Sequence, residues 1–125
     1  MTILGLGNDI IEVARIEAIL ARHGQHFLDK LFTLDEQTYC LKHQDAARHL
    51  AGRFAAKEAV VKAIGTGFRE GTGWLDIEIL NNDEGKPVVH LSKALKELLG
   101  NLEVLISISH CKEYASAVAL LQKSR

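Results

Sequence analysis

The order of apolar and polar residues divides the chain into alternating and helical stretches. Alternation over residues 3–11 predicts a strand. Gly5, Gly7 and Asp9 share one face of this strand because successive side chains point to opposite sides. Helical spacing and further alternation predict the remaining elements. In chain order these are a helix over 12–23, an apolar turn over 27–32, helices over 34–43 and 47–64, strands over 74–80 and 88–91, a helix over 93–99, and strands over 102–109 and 114–121.

Polar residues and glycines mark the ends of several elements. Thr33 and Glu36 have the spacing of a capping box, Ser92 can cap the helix after it, and Gly65 predicts a left-handed end to the longest helix. One strand, several helices and then mostly hairpin-linked strands predict an α+β fold. We expect a mostly antiparallel sheet packed on the long central helix, with residues 1–125 forming one domain, because neither a repeat nor a linker is evident.

Composition and charge narrow the class of protein. The 125 residues include 15 Lys and Arg against 16 Asp and Glu, so the basic excess of a typical nucleic-acid binder is missing. A hydrophobic content of 47% is that of an ordinary globular domain. No apolar run reaches the roughly 18 residues of a membrane span. With no secretory signal and with only Cys40 and Cys111 as thiols, the chain is expected in the cytoplasm.

The central helix combines charged residues with faces expected to be buried. Lys57 falls on the predicted core stripe, Arg53 lies at its margin, and Glu58 and Lys62 stack on a flank rich in alanine. The stripe consists of Leu50, Phe54, Val61 and Ile64. Buried charges are costly unless they are paired or coordinated. Two interpretations are open: a Glu58–Lys62 surface pair beside snorkelling bases, or a site whose carboxylate holds a cation and whose bases hold phosphates.

Candidate chemistry also occurs outside this helix. Gly5 and Gly7 clear the face on which Asp9 projects, which leaves room for a ligand or for another backbone. A dinucleotide-binding motif is excluded because Ile10 replaces its third glycine. His110 ends a strand at the hairpin, where it can contact phosphate or make ordinary turn hydrogen bonds.

Three residues around the second helix have the chemistry of zinc ligands. They are Cys40, His43 and His49, and no fourth ligand is evident, so the sequence disfavours zinc. Hydrolase chemistry has no support either, because the chain lacks a GxSxG nucleophile elbow.

Three stretches together resemble the holo-acyl-carrier-protein synthases, the small bacterial 4′-phosphopantetheinyl transferases. The matching stretches are residues 5–10 with Glu12 and Arg15, residues 50–67, and residues 107–110 with Tyr114 and Ala115, and the loop 85–87 also fits. The resemblance implies the 4′-phosphopantetheinyl transferase fold and a homotrimer with active sites between subunits. It further implies transfer of 4′-phosphopantetheine from coenzyme A to a serine of apo acyl carrier protein in fatty-acid biosynthesis. Adenosine 3′,5′-bisphosphate is the implied second product.

The resemblance also implies roles for individual residues. Asp9 and Glu58 would bind Mg²⁺ together with the coenzyme A pyrophosphate, and Lys62 would add positive charge at the same phosphates. Glu58 would accept the serine proton, either directly or through a metal-bound water. Arg53 is suited to the nucleotide 3′-phosphate. The remaining implied coenzyme A contacts are Lys62, Gly65, Pro87, Ser109 and His110, with the last two from the adjoining subunit.

Two further positions, Lys57 and Cys111, also bear on coenzyme A binding. Lys57 is assigned a phosphate-binding or a structural role, and the sequence does not choose between them. Cys111 stands where threonine is expected in many relatives, so a hydroxyl contact to coenzyme A is expected to be missing.

The first helix carries a candidate docking surface. Arg15 and Arg22 are seven residues apart and therefore lie on nearly the same face. By the resemblance, acyl carrier proteins are acidic, so these arginines would steer the carrier to the site. Alternatively, both are solvated or paired with one of the acids nearby, which are Glu12, Glu17 and Asp29.

A rival from another class is a non-catalytic trimeric module that binds coenzyme A or a carrier protein. Asp9 and Glu58 argue against it, because pure binding needs no metal ligands. The larger surfactin-type transferases look like two fused repeats, and 125 residues supply only one.

Overall fold

The structure is a computed structural model that describes residues 2–65, 67–68 and 71–124. These residues form two antiparallel sheets and five α-helices. The elements are β1 (Ile3–Glu12), α1 (Val13–His23), α2 (Gln25–Leu31), α3 (Leu34–Leu41), α4 (Ala46–Ile64), a 3-10 turn (Trp74–Asp76), β2 (Ile77–Asn81), β3 (Pro87–Leu91), α5 (Lys93–Leu99), β4 (Leu102–His110) and β5 (Tyr114–Lys123). The larger sheet has the strand order β1-β5-β4, and β2 pairs with β3 in the smaller one. The predicted α+β fold and the β4–β5 hairpin are confirmed.

Helix α4 packs on the larger sheet through contact between two backbones. A Cβ atom at Gly5 would lie 2.0 Å from the carbonyl oxygen of Ala63, and one at Gly7 would lie 1.8 Å from that of Ala59. The glycines therefore make room for another backbone, which was one of the two alternatives in the sequence. This contact places β1, and with it Asp9, directly against the C-terminal half of α4.

The buried face of α4 differs from the predicted core stripe. Leu50 and Lys57 of the stripe are fully buried as predicted, but Phe54, Val61 and Ile64 are only partly buried, and small residues fill much of the buried surface instead. The small residues are Ala51, Ala55, Ala56, Ala59 and Ala63. The stripe was wrong in part because close backbone packing on the glycines of β1 favours alanine over large side chains.

Side-chain capping explains where several elements begin. Thr33 and Glu36 form the predicted capping box, with hydrogen bonds of 2.9 and 3.2 Å. The predicted strand over 74–80 is wrong at its start, because the Asp76 carboxylate accepts bonds from the Gly73 N–H and from the Ser92 hydroxyl, each at 2.6 Å. These bonds favour a 3-10 turn, and the strand begins at Ile77. Most of the apolar turn predicted over 27–32 belongs to helix α2, which ends at Leu31, and Phe32 follows in an extended conformation.

The larger sheet leaves one face uncovered, and that face is apolar. Leu6 and Leu105 lie in one cross-strand row on either side of Leu120, while Ile10 lies further along β1. Leu6 is 66% exposed and Ile10 is 64% exposed. Large exposed apolar patches commonly mark interaction sites. None of the helices in the described part of the chain combines the length and the apolar character of a membrane span.

Candidate active site

The structure brings Asp9 and Lys62 together at the junction of β1 and α4. The Lys62 Nζ atom lies 3.0 Å from Asp9 Oδ1 and donates to the Asn8 carbonyl oxygen at 3.0 Å. The Lys62 side chain remains 53% exposed and that of Asp9 is 18% exposed. Lys62 therefore pairs with the strand rather than with Glu58, so the surface pair considered from the sequence is not formed among the described residues.

Glu58 faces the same junction from one turn earlier on α4. It is half-buried, and it forms no hydrogen bond or ion pair with any described residue. Its pKa is raised by burial and by the nearby Asp9 charge, against the opposing effects of Lys62 and Arg15. A carboxylate whose charge is disfavoured by a second carboxylate nearby suits a hard divalent cation, which prefers oxygen ligands. Asp9 and Glu58 thus fit the Mg²⁺ that the resemblance implies.

Arg53 belongs to a second group, on another side of α4. It is 5% exposed, its guanidinium donates to Asn81 Oδ1 at 2.8 Å and lies over the Tyr39 ring at 4.6 Å. Its Nε atom is buried and has no hydrogen-bond partner among the described residues. Asn81 is the cross-strand partner of Pro87, so β2 and β3 bring Pro87 to the neighbourhood of Arg53. A free guanidinium N–H in this setting can donate to an anionic oxygen.

Ser109 and His110 point to opposite sides of β4. Ser109 lies on the uncovered sheet face, in one row with Ser116 and Ile10. His110 faces α4, where a Cβ atom at Gly52 would lie 3.8 Å from its ring. Partial burial, followed by the charge of Arg48, lowers the pKa of His110, which favours its neutral form. The two neighbours therefore serve different surfaces within one chain.

Gly65 occupies the left-handed position that ends α4, with a φ angle of 87° and an N–H that donates to the Val61 carbonyl at 3.0 Å. The predicted cap is confirmed. Gly65 is exposed just beyond Lys62, which keeps it on the same end of the helix as the Asp9 group.

Lys57 is sealed inside the protein. Its Nζ atom contacts Glu36 Oε1 at 2.7 Å and donates to the carbonyl oxygens of Leu31 at 2.7 Å and Trp74 at 3.1 Å. Burial lowers its pKa, and Glu36 opposes that effect. With no exposed surface, Lys57 cannot reach a phosphate. The structure therefore gives it the structural role and leaves the snorkelling interpretation without support.

Arg15 and Arg22 are both exposed on α1, and neither forms an ion pair with a described residue. The pairing considered from the sequence is thus not formed. Arg15 is near enough to Glu58 to oppose, in part, the rise in the pKa of that carboxyl. Beyond Arg22, a groove of about 400 Å³ opens between α1, α2 and α4. Its lining is apolar below and basic at the rim: His23, His26, Phe27, Lys30, Leu31, Phe54 and Trp74.

Several residues beside the predicted site were not singled out from the sequence. Asn81 accepts a hydrogen bond from Arg53, but in the sequence it looks like an ordinary residue of a polar loop. Glu36 was assigned only to its capping box. Arg48 lies beside His110, yet its spacing from that residue carries no sequence signal, because β4 reaches α4 only in the folded chain.

Comparison with known proteins shows the family to which this chain belongs. The sequence model of the 4′-phosphopantetheinyl transferase superfamily matches residues 5–119. A holo-[acyl-carrier-protein] synthase of Protochlamydia amoebophila is 58% identical over 117 residues, covering 94% of this chain and 96% of the relative. The chain belongs to the holo-acyl-carrier-protein synthase family of that superfamily.

Solved structures show the same relationship. The crystal structure of a holo-(acyl-carrier-protein) synthase from Bacillus anthracis in complex with CoA (3′,5′-ADP) has a TM-score of 0.82 and 38% identity, with all of both chains covered. The enzyme from Neisseria meningitidis has a TM-score of 0.88 and 33% identity, covering 98% of this chain and 100% of that one. The α+β architecture is therefore that of holo-acyl-carrier-protein synthases.

Proposed function

We propose that this protein transfers the 4′-phosphopantetheine group of coenzyme A to a serine of apo acyl carrier protein, in fatty-acid biosynthesis. The observation that carries the proposal is the junction of Asp9, Glu58 and Lys62, in a chain whose relatives are holo-acyl-carrier-protein synthases. The bound CoA (3′,5′-ADP) of the Bacillus anthracis relative supports coenzyme A as donor. The free thiols of Cys40 and Cys111 support a reducing compartment, the cytoplasm.

Asp9 and Glu58 would hold Mg²⁺ as the cofactor. When bound, the ion would neutralise charge on the diphosphate of coenzyme A as the phosphoanhydride bond breaks. Lys62 adds a second positive charge at the same place, because its ammonium group is already held beside Asp9. The 3′-phosphate of the leaving nucleotide is the proposed partner of Arg53, whose guanidinium keeps further N–H donors besides the one that it gives to Asn81.

Glu58 is the proposed general base. It accepts the proton of the carrier serine as the hydroxyl oxygen attacks the β-phosphorus of coenzyme A. The raised pKa of Glu58 strengthens it as a base. Its lack of a hydrogen-bond partner among the described residues leaves its oxygens available for this role.

A homotrimer with shared sites is the proposed assembly. Arg53 and Glu58 are about 140° apart around α4, so one nucleotide does not easily contact both in a single chain. The uncovered apolar face, which includes Leu6 and Ile10, offers a surface for a second copy, and Ser109 lies on it. Mixing inactive Glu58→Gln and His110→Ala chains should restore activity in hybrid sites. A fully active monomer in light scattering would overturn the shared site.

Carrier docking is proposed on α1. The exposed Arg15 and Arg22, with the basic rim of the adjacent groove, would attract an acidic helical carrier. Arg22→Glu should raise the KM for the carrier, more strongly at low salt, and leave the KM for coenzyme A nearly unchanged. Lys93→Glu on α5 makes the same charge change at another exposed position and serves as the control. Equal losses for both substrates would place Arg22 in the nucleotide site or in the fold.

Intact-mass spectrometry tests the proposed reaction directly. Apo acyl carrier protein incubated with the protein, coenzyme A and Mg²⁺ should gain the mass of one phosphopantetheine group. A chain that binds coenzyme A or the carrier without this gain would instead be a binding module. Omitting Mg²⁺ and adding a chelator should abolish the gain if the cofactor assignment is correct.

A further inference from the structure

Two histidines and an aspartate meet where α3 connects to α4. His43 and Asp45 lie in the connection, and His49 is in the first turn of α4. One side-chain ligand atom of each residue lies within 4.8 Å of those of the other two. His49 Nε2 is 3.3 Å from Asp45 Oδ1, and the His43 and His49 rings are stacked with centroids 3.8 Å apart. None of the three belongs to the Asp9 and Glu58 group.

One ligand atom in this cluster has nothing to bind. His43 Nε2 is buried and has no hydrogen-bond partner among the described residues. A buried polar atom without a partner is costly, and it usually marks a missing water, ion or ligand. Because Nε2 is the atom through which imidazole commonly binds metal, the unpaired atom points to a metal ion.

Asp45 distinguishes a cation site from an anion site here. Arg48 and the histidines alone would suit an anion, but the Asp45 carboxylate lies among them and would repel one. Arg48 pairs with Asp45 Oδ2, which orients the carboxylate and leaves Oδ1 facing His49. Outer residues that hold a ligating carboxylate in this way are a common part of metal sites.

We propose that His43, Asp45 and His49 form a binding site for a divalent transition metal such as Zn²⁺, separate from the Asp9 and Glu58 site. Imidazole ligands favour Zn²⁺, Ni²⁺ and Cu²⁺ over Mg²⁺. Three protein ligands leave one position for water or for an exogenous ligand. Because the two rings are stacked at 16° to each other, the His43 ring would have to turn out of the stack for both imidazoles to bind one ion.

This site is not the trio considered from the sequence. Cys40 is fully buried, with a pKa raised by burial to about 12, and Asp45 takes its place as the third ligand. The aspartate gave no signal in the sequence because it also suits the residue before a helix.

Titration of the untagged full chain with Co²⁺ tests the proposal. In the presence of excess Mg²⁺, one equivalent of Co²⁺ should bind, give visible ligand-field absorption and be displaced by Zn²⁺. His43→Gln and His49→Gln should each weaken binding by at least about tenfold. His90→Gln removes an exposed imidazole on β3 and should leave binding unchanged. Equal binding by His43→Gln and the original chain would overturn the site.

Two further variants protect this test from misfolding and from the other site. Asp45→Asn keeps a residue that suits the helix start while removing the charged ligand, so it should also weaken Co²⁺ binding without loss of the fold. Asp9→Asn should retain the Co²⁺ signal, and its loss there would place the metal at the other site. If inorganic phosphate binds the original chain and not His43→Gln, while Co²⁺ binds neither, the cluster is an anion site and the proposal is wrong.

Discussion

Lys57 and Lys62 lie five residues apart on α4, and each contacts a carboxylate from another element. The protein completes every contact of Lys57, which is sealed between Glu36 and two carbonyl oxygens. Lys62 is half exposed beside Asp9, and Glu58 nearby has no partner among the described residues. The same residue type on one helix therefore supports the fold where its surroundings are complete, and is available for chemistry where they are not.

Lys57→Met should have the largest effect on stability. It leaves the Glu36 charge buried without its cation, which typically costs about 3–5 kcal/mol. Urea unfolding measures the loss. Lys62→Met is the matched control and should cost less than about 1 kcal/mol, because its pair with Asp9 is partly exposed. Similar losses in both variants would remove the contrast between the two lysines.

Asp9→Asn and Glu58→Gln should affect turnover rather than stability. Each removes ligand charge at nearly constant volume, and we expect turnover to fall by at least about 100-fold, equivalent to about 3 kcal/mol. Glu97→Gln on α5 makes the same chemical change at an exposed position and should keep full activity. Rates near the original in either site variant, measured at limiting Mg²⁺, would contradict the two-carboxylate assignment.

Gly7→Ala tests whether the main-chain contact between β1 and α4 is needed to hold Asp9 in position beside Glu58 and Lys62. The new methyl group would overlap the Ala59 carbonyl and push β1 from α4, at a cost of about 1–3 kcal/mol or more. Turnover should fall further than stability explains, because Asp9 moves with β1. Gly73→Ala is the control, since nothing lies within 4 Å of its Cβ position and its φ angle is −166°. Unchanged turnover in a folded Gly7→Ala protein would argue against this dependence.

The smallest expected effect concerns the stability of Glu58→Gln without Mg²⁺. The pKa of Glu58 is raised in the fold, so the folded state binds the proton more tightly than the unfolded chain. Below pH 4.5, the ordinary pKa, Glu58 is protonated in both the folded and the unfolded state, so it does not destabilise the fold. The destabilisation by its charge grows as the pH rises through the folded pKa. The variant should therefore be more stable than the original at pH 7, by less than about 1 kcal/mol after solvent screening, and this advantage should shrink near pH 4. A variant less stable at pH 7 would mean that Lys62 and Arg15 outweigh burial.

Local sequence patterns were sufficient to predict the elements that carry Asp9 and Glu58, but they did not predict the buried ion pair of Lys57 with Glu36. Asp9 lies on an alternating strand and Glu58 on a strongly helical segment, so both elements were predicted near their observed bounds. The partner of Lys57 was not predicted, because Glu36 is 21 residues away and its capping box already explains its presence. Tertiary contacts of this kind leave no periodic signal.

The same distinction explains the errors on α4 and before β2. Helical periodicity identifies the buried face of a helix by its large apolar residues. It therefore missed the alanine-rich face of α4, which packs closely on β1 because Gly5 and Gly7 have no side chains. At Asp76, bonds from the Gly73 N–H and from the Ser92 hydroxyl both favour the 3-10 turn, and Ser92 is too far along the chain to be detected by a local pattern. The expected coenzyme A and carrier contacts remain predictions, with their residues now placed on α1, on α4 and its C-terminal cap, and on β3 and β4.

The contact of β1 with α4 has a consequence for the reorganisation energy of the reaction. Side chains that separate two elements can change rotamer, but a strand and a helix in main-chain contact at Gly7 and Ala59 have no rotatable bond between them. The separation of the Asp9 and Glu58 main chains is thus set during folding rather than during each turnover. An electrostatic site preorganised in this way has less rearrangement to make as charge moves in the transition state.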